Sequence, residues 1–169
     1  MLQRILAWDA ALTARLRLPE DARGWRTLAA LLAHSGDSWF WLAGLGVVWA
    51  VGPAAWRERA GVAFVAVFVT AGVVLGLKFL FRRQRPEGTW GQIYRATDPH
   101  SFPSGHAARG ALLTVLAWGL ISWQAGLLVA VWAGLMALAR VAMGVHYLSD
   151  VLAGMLLGAL LGGLTLALR

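Results

Sequence analysis

Residues 38–56, 60–77, 110–139 and 151–168 contain no charged side chain, over runs of 19, 18, 30 and 18 residues. Uncharged runs of about 17–25 residues match a helix that crosses a hydrocarbon core ~30 Å thick. In lipid a backbone satisfies its own polar groups only as a helix or a closed barrel, so these runs predict helices. The longest run would measure ~45 Å as one helix at ~1.5 Å per residue, which is long for a single crossing. It contains a turn signal at Ser122-Trp123-Gln124-Ala125-Gly126. Splitting it there gives spans over about 104–121 and 125–142. The expected fold class is an all-α integral membrane protein, a bundle of about five transmembrane helices.

Residues 1–36 read differently. Leu2, Ile5, Leu6, Leu12 and Leu16 alternate with Arg4, Asp9, Arg15 and Arg17, and Leu18-Pro19-Glu20-Asp21 interrupts the pattern. Trp25, Leu28, Leu31 and Leu32 then resume an apolar stripe. Neither piece is long and clean enough to span, so both are expected to be amphipathic interfacial helices preceding the bundle. Asp9 interrupts any apolar core that a signal peptide would need. Trp25, Trp39, Trp56, Trp90 and Trp123 fall near predicted ends of elements, as an aromatic belt requires.

Composition narrows the partners. The chain is 59% hydrophobic and 14% charged, yet its net charge is +7, from fourteen arginines and the single lysine Lys78 against eight acids. Nucleic acid requires a soluble basic face, which so apolar a chain does not offer; anionic headgroups or a phosphorylated substrate remain. The absence of cysteine excludes disulfides, thiolate metal sites and thiol nucleophiles. No obligate protein partner is evident.

The longest polar region, residues 82–109, opens after Lys78 with Arg82-Arg83-Gln84-Arg85-Pro86 and closes with Pro103-Ser104-Gly105-His106. A third cluster, Arg140, His146 and Asp150, follows the fourth predicted span. With the long run split, all three clusters return to one side of the membrane. Each has a plain reading. Arg82 and Arg83 read as interfacial anchors, Ser104 as a helix N-cap, and His146 with Asp150 at i, i+4 as a structural pair or half a metal site. Jointly they read as chemistry. Lys78, Arg85 and Arg140 supply three positive charges, and Gly105 lets backbone N–H groups at a helix start approach an anion. Of the two histidines, one oriented by a carboxylate serves as nucleophile or base and the other as general acid. Such a trio of cations stabilises equatorial phosphoryl oxygens without a metal or other cofactor.

These segments resemble the type 2 phosphatidic acid phosphatase family, membrane lipid phosphatases related to the vanadium haloperoxidases. The family pattern is Lys, six residues, Arg-Pro; Pro-Ser-Gly-His; and Ser-Arg, five residues, His, three residues, Asp. Here it is carried by Lys78 to Arg85-Pro86, by Pro103-Ser104-Gly105-His106, and by Ala139-Arg140 to His146 and Asp150, with Ala139 in place of the frequent Ser. The resemblance implies that His146 attacks phosphorus, that Asp150 holds its tautomer, and that His106 protonates the leaving oxygen and then activates water. Lys78, Arg85, Arg140, Ser104 and Gly105 would bind the phosphoryl group. His34 and His100 match no motif position; a solvent-facing loop is the expectation for His100.

The implied organisation is a single domain over 1–169, with 1–36 an interfacial segment and 37–169 a transmembrane catalytic bundle. The implied substrate is a lipid phosphate or isoprenoid diphosphate, such as undecaprenyl diphosphate, phosphatidylglycerol phosphate or phosphatidic acid. Alternatives are a lipid phosphotransferase using the same residues, a haloperoxidase, and a non-enzymatic transporter or scaffold. Arg57, Arg59 and Arg169 lie on the side opposite the clusters, while Arg4, Arg15, Arg17, Arg23 and Arg26 lie on the clusters' own side. The family implies a multi-pass protein of the bacterial inner membrane with an extracytoplasmic site.

Overall fold

The structure, a computed structural model, describes residues 1–87, 90 and 98–169, with the backbone alone at Leu2. The middle of the polar region, including Arg95, lies outside the described residues. Seven helices run through the described residues: α1 Leu2–Arg15, α2 Arg23–His34, α3 Ser38–Val51, α4 Ala54–Phe81, α5 Gly105–Leu120, α6 Trp123–Ala142 and α7 Leu148–Ala167.

The all-helical class agrees with the uncharged runs, and the long run does break where the turn signal stands. Ser122 caps the new helix by accepting the Ala125 N–H at 3.1 Å. Among the described residues, three helices, α4, α6 and α7, are long and apolar enough to cross a membrane. The other two expected spans are short. Helix α3 has 14 residues and α5 has 16, or ~21 and ~24 Å at ~1.5 Å per residue. Gly52-Pro53 ends α3 five residues before the uncharged run does, because proline cannot donate into a continuing helix.

Helix α5 is the centre of the bundle. Its Leu112, Leu113, Leu116 and Leu120 pack on Ala63, Ala66 and Val67 of α4 to form the main core. Its opposite flank lies against a stripe of small residues on α7, Gly154, Gly158 and Gly162, all buried. Side chains added there would strike α5: a Cβ at Gly158 would collide with the Ala108 carbonyl oxygen, and one at Gly162 would sit 2.9 Å from Val115 Cβ. This is close packing of membrane helices through small residues. Gly158→Val is therefore expected to lose most of its folded, monodisperse protein in detergent. An unchanged thermal midpoint for that variant would contradict the packing.

The amino-terminal helices dock on this bundle. Ala29 and Ala33 of α2 pack against Ala139, Met143 and Val145. That contact explains Ala139: the position faces an apolar helix surface, where a hydroxyl would have to find a partner. Helix α1 is amphipathic in an unexpected sense. Ile5, Leu6, Trp8, Leu12 and Leu16 are exposed, while Asp9 and Thr13 are buried. Asp9 and Thr13 turn inward, toward the start of α7, while Gln3, Arg4 and Arg15 are exposed.

Candidate active site

Each of the three sequence clusters is placed by a local break in a helix. Helix α4 ends three residues past Lys78, with its C-cap Arg82 in the left-handed region (φ 49°) and the Arg82 N–H bonded to the Lys78 carbonyl at 2.9 Å. The chain then runs back along its own end, where Gln84 and His100 form an antiparallel bridge and Ser101 donates to the Arg83 carbonyl at 2.8 Å. Helix α5 starts at the Pro-Ser-Gly-His motif, with Ser104 as N-cap accepting from the Ala107 N–H at 3.5 Å. After α6 the chain turns through Gly144 (φ +67°), which a side chain would strain, and Val145 donates back to the Arg140 carbonyl at 3.2 Å. That turn lays His146 over the end of α6.

The expected residues converge. Lys78, Gly105, His106 and His146 line one cavity of about 540 Å³. Arg85 donates from Nη1 to the Val145 carbonyl at 2.8 Å, and the same nitrogen lies 3.3 Å from His146 Nε2. A guanidinium only donates, so Nε2 is the acceptor and Nδ1 carries the ring proton. Nδ1 lies 3.7 Å from Asp150 Oδ2, beyond hydrogen-bond distance. Ser104 donates its backbone N–H to the Asp150 carbonyl at 2.9 Å, tying the second cluster to the third. Arg140, His146 and Asp150 are all fully buried. Gly105 is not required by packing: a Cβ there would meet only Val74 Cγ1 at 3.4 Å, an ordinary contact.

The charges of this site act on His146. Burial first, and then Arg140, Arg85 and Lys78, hold its imidazole well below the usual histidine range. The neutral ring is the form with a free lone pair. As pH falls through 6.5, the unfolded chain takes up a proton that the buried ring does not, so the folded state loses stability below that pH. In ¹⁵N-histidine spectra, His146 is expected to remain neutral at pH 6; a midpoint near 6.5 would contradict the geometry.

One carboxylate oxygen, Asp98 Oδ2, is gripped by both Lys78 and Arg85, the latter at 2.8 Å, and Arg85 Nε also donates to the Asp98 carbonyl at 2.7 Å. The two cations thus converge on a single anionic oxygen beside His146.

Several residues here were not singled out by sequence. Arg83 is no interfacial anchor: Nη1 donates to Asp150 Oδ1 at 2.7 Å, Nη2 to Asp9 Oδ2 at 2.7 Å, and its guanidinium lies 4.0 Å from the Tyr147 ring centroid. Asp9 and Thr13 of α1 accept the Ser149 and Leu148 N–H groups at 3.0 Å each, satisfying the open first turn of α7. Asp37 accepts from His106 Nε2 at 2.8 Å, and the buried Arg109 donates to Gly36 and Ser38 beside it. The spacing of such partners in the chain is 60 residues or more, so no local pattern marks them. His100 is half-buried, lines the cavity and meets the Phe79 ring edge-on at 5.8 Å, contrary to the solvent-facing expectation. His34 stays exposed beside Asp37, at 3.2 Å.

Comparison with known proteins bears on this arrangement. Residues 59–169 match the family described as the PAP2 superfamily. The decaprenylphosphoryl-5-phosphoribose phosphatase of Mycobacterium tuberculosis is 36% identical over 167 residues, covering 95% of this chain and 85% of that protein. The undecaprenyl-diphosphatase of Sulfolobus acidocaldarius is 36% identical over 111 residues, covering 60% of this chain and 52% of that one. Among solved structures, the transmembrane PAP2-type phosphatidylglycerolphosphate phosphatase of Bacillus subtilis shares the fold with a TM-score of 0.80 at 23% identity, over 98% of this chain and 86% of its own. Aquifex aeolicus LpxE does so with a TM-score of 0.72 at 21% identity, over 94% and 92%.

Proposed function

Because this chain belongs to the PAP2 superfamily and is a phosphoric ester hydrolase of the membrane, we propose that it removes phosphate from a lipid through a phosphohistidine on His146, without a metal. The observation that carries the reading is the shared grip of Lys78 and Arg85 on Asp98 Oδ2, beside the acceptor nitrogen of His146. A phosphoryl oxygen taking the place of that carboxylate would lie next to the nucleophile. Asp98→Asn, which weakens the resident anion, is expected to tighten vanadate inhibition several-fold; weaker inhibition would contradict the substitution of one anion for the other.

In the first step the lone pair of His146 Nε2 attacks phosphorus. The bond from phosphorus to the leaving oxygen breaks, and that oxygen takes a proton from His106. In the second step water attacks the phosphohistidine, His106 takes the water's proton, and the P–N electrons return to His146. Lys78, Arg85, Arg140, the Ser104 hydroxyl and the Gly105 N–H hold the equatorial oxygens, where charge builds in the loose transition state. Asp150 keeps the proton on Nδ1. All of 1–169 serves as one unit, since α1 closes the first turn of the helix that carries Asp150.

The cavity supports a lipid substrate. From Lys78 its wall descends along α4 through Leu75, Val74, Ala71 and Thr70. Eight residues of helix make a mainly apolar wall ~12 Å deep, which suits a lipid tail rising from the bilayer. We favour an isoprenoid tail over a diacylglycerol, on the support of the two prenyl-linked relatives. The reading takes α3 and α5 as further, short spans, giving five, and places the site outside a bacterial inner membrane. Arg57 and Arg59 at the far end of α4 support that orientation. The cysteine-free chain allows a clean check: an impermeant thiol reagent on intact cells should label Glu87→Cys and spare Arg57→Cys, and the opposite pattern would reverse the orientation.

The test of the function is phosphate release from prenyl monophosphate, prenyl diphosphate, phosphatidylglycerol phosphate and phosphatidic acid by the purified chain in EDTA. Sustained release, greatest on a prenyl substrate, is expected. Loss of release in EDTA with recovery on adding a divalent cation would overturn the metal-independent mechanism. Transfer of phosphate to a second lipid in place of release would favour a phosphotransferase.

A further inference from the structure

We propose that Asp37 is the positioning carboxylate of His106, so that each histidine of the site has its own acidic partner. The inference rests on the functional reading above, and adds to it a residue that lies outside the three motifs.

Asp37 stands at the N-cap of α3. An aspartate there normally accepts from the first-turn N–H groups of its own helix. Here the side chain makes no such bond. It turns away, with Oδ1 2.8 Å from His106 Nε2 and Oδ2 3.2 Å from His34 Nδ1. The local capping bond has been given up for a residue 69 positions away.

The loop that carries Asp37 is built to hold it there. The buried Arg109, one turn along α5 from His106, donates Nε to the Gly36 carbonyl at 2.7 Å and Nη1 to the Ser38 hydroxyl, gripping the residues on either side of Asp37. Trp41 donates to the Ser35 carbonyl at 3.0 Å and Trp132 to its hydroxyl at 2.9 Å. Gly36 has no room for a side chain, since a Cβ would come within 3.0 Å of both His106 Cδ2 and Met136 Sδ. The loop therefore lies close against His106. Burial alone would raise the Asp37 carboxyl, but hydrogen bonds from His106 and His34 bring it down to about 2, so it is an anion at every working pH.

A carboxylate accepts only, so the proton on Nε2 belongs to this bond. Nδ1 is then the nitrogen that hands a proton to the leaving oxygen and takes one back from water. Asp37 fixes the tautomer and ring orientation and balances the imidazolium that exists before the first step and again after the second, next to the cations Arg109 and Arg140. Asp37 thus acts through His106 and does not touch the substrate.

The test separates this role from a merely structural one through the leaving group. An alkyl alcohol needs a proton to depart, whereas p-nitrophenolate does not. In single-turnover assays of the full chain, Asp37→Asn is expected to slow release from a prenyl monophosphate about 10²-fold, within the range for general acid catalysis. Release of p-nitrophenol from p-nitrophenyl phosphate should change less than threefold, and KM for the prenyl substrate should hold within about threefold. Asp37→Asn should add no further loss in a His106→Ala background. If Asp37→Asn does not fold, Asp37→Glu carries the test, with the same selective loss but a smaller one. Equal losses on both substrates, or no loss on the prenyl substrate, would overturn the assignment of Asp37 alone. Activity retained by His146→Ala in the same assay would overturn the functional reading, and this proposal with it.

Discussion

His146→Ala is expected to leave no measurable phosphate release from any lipid phosphate, a loss of at least about 10⁴-fold where a covalent route is removed. The side chain is fully buried, its Nε2 faces Arg85 at 3.3 Å, and burial, together with the surrounding cations, keeps the ring neutral. Removing the proposed nucleophile leaves those cations in place, so the variant should still bind substrate. The expected signature is therefore lost turnover with retained affinity for a lipid phosphate. His146→Ala turning over within tenfold of the parent would leave the cation cluster as a binding site without the proposed chemistry. The cavity left by imidazole lies in the loop between α6 and α7, away from the α5–α7 glycine stripe, and helix content should be unchanged.

The second large effect is expected at Arg85. This guanidinium uses Nε and Nη2 on Asp98 and Nη1 on the Val145 carbonyl and His146 Nε2. It is the side chain that links the Asp98 carboxylate to His146. Loss of one preorganised donor to a developing oxyanion costs about 10²–10³ in rate, and Arg85→Ala should fall at the upper end because it also frees the His146 ring. Arg85→Lys should not recover it, since an ammonium is a compact point charge that cannot bridge both flanks. kcat should fall for both variants, with vanadate inhibition weakened in parallel. Recovery of wild-type kcat by lysine would mean that only the charge matters there, and would contradict the bridging role.

What the sequence made legible follows from distance along the chain. The helical class was readable because an uncharged run must be a helix in lipid, and the break at Ser122 because an N-cap serine signals locally. The shortness of α3 was readable in principle from Gly52-Pro53, but the uncharged run continues through it to Trp56 and hides the stop. Lys78, Arg85, Ser104, Gly105, His106, Arg140, His146 and Asp150 were legible through motif spacing alone. Their supporting residues were not. Arg83 has the same local context as Arg82, yet one is exposed and the other joins Asp9 to Asp150. Asp9 looked like a defect in an apolar stripe. It is a buried helix cap, and because its partner Ser149 is 140 residues away, no local pattern names it. The amino-terminal acid that weakens a signal-peptide reading is thus part of the shell around the site.

The central claim, that His146 forms a bond to phosphorus, is tested most directly by trapping the intermediate. The purified chain would be mixed with a ³²P-labelled prenyl monophosphate, quenched in alkali within one turnover, and digested. An alkali-stable, acid-labile label is expected on the peptide containing His146, absent from His146→Ala and accumulating further in His106→Ala supplied with a phenolic leaving group. Turnover with no protein-bound label at any quench time, or label on a peptide without His146, would contradict it.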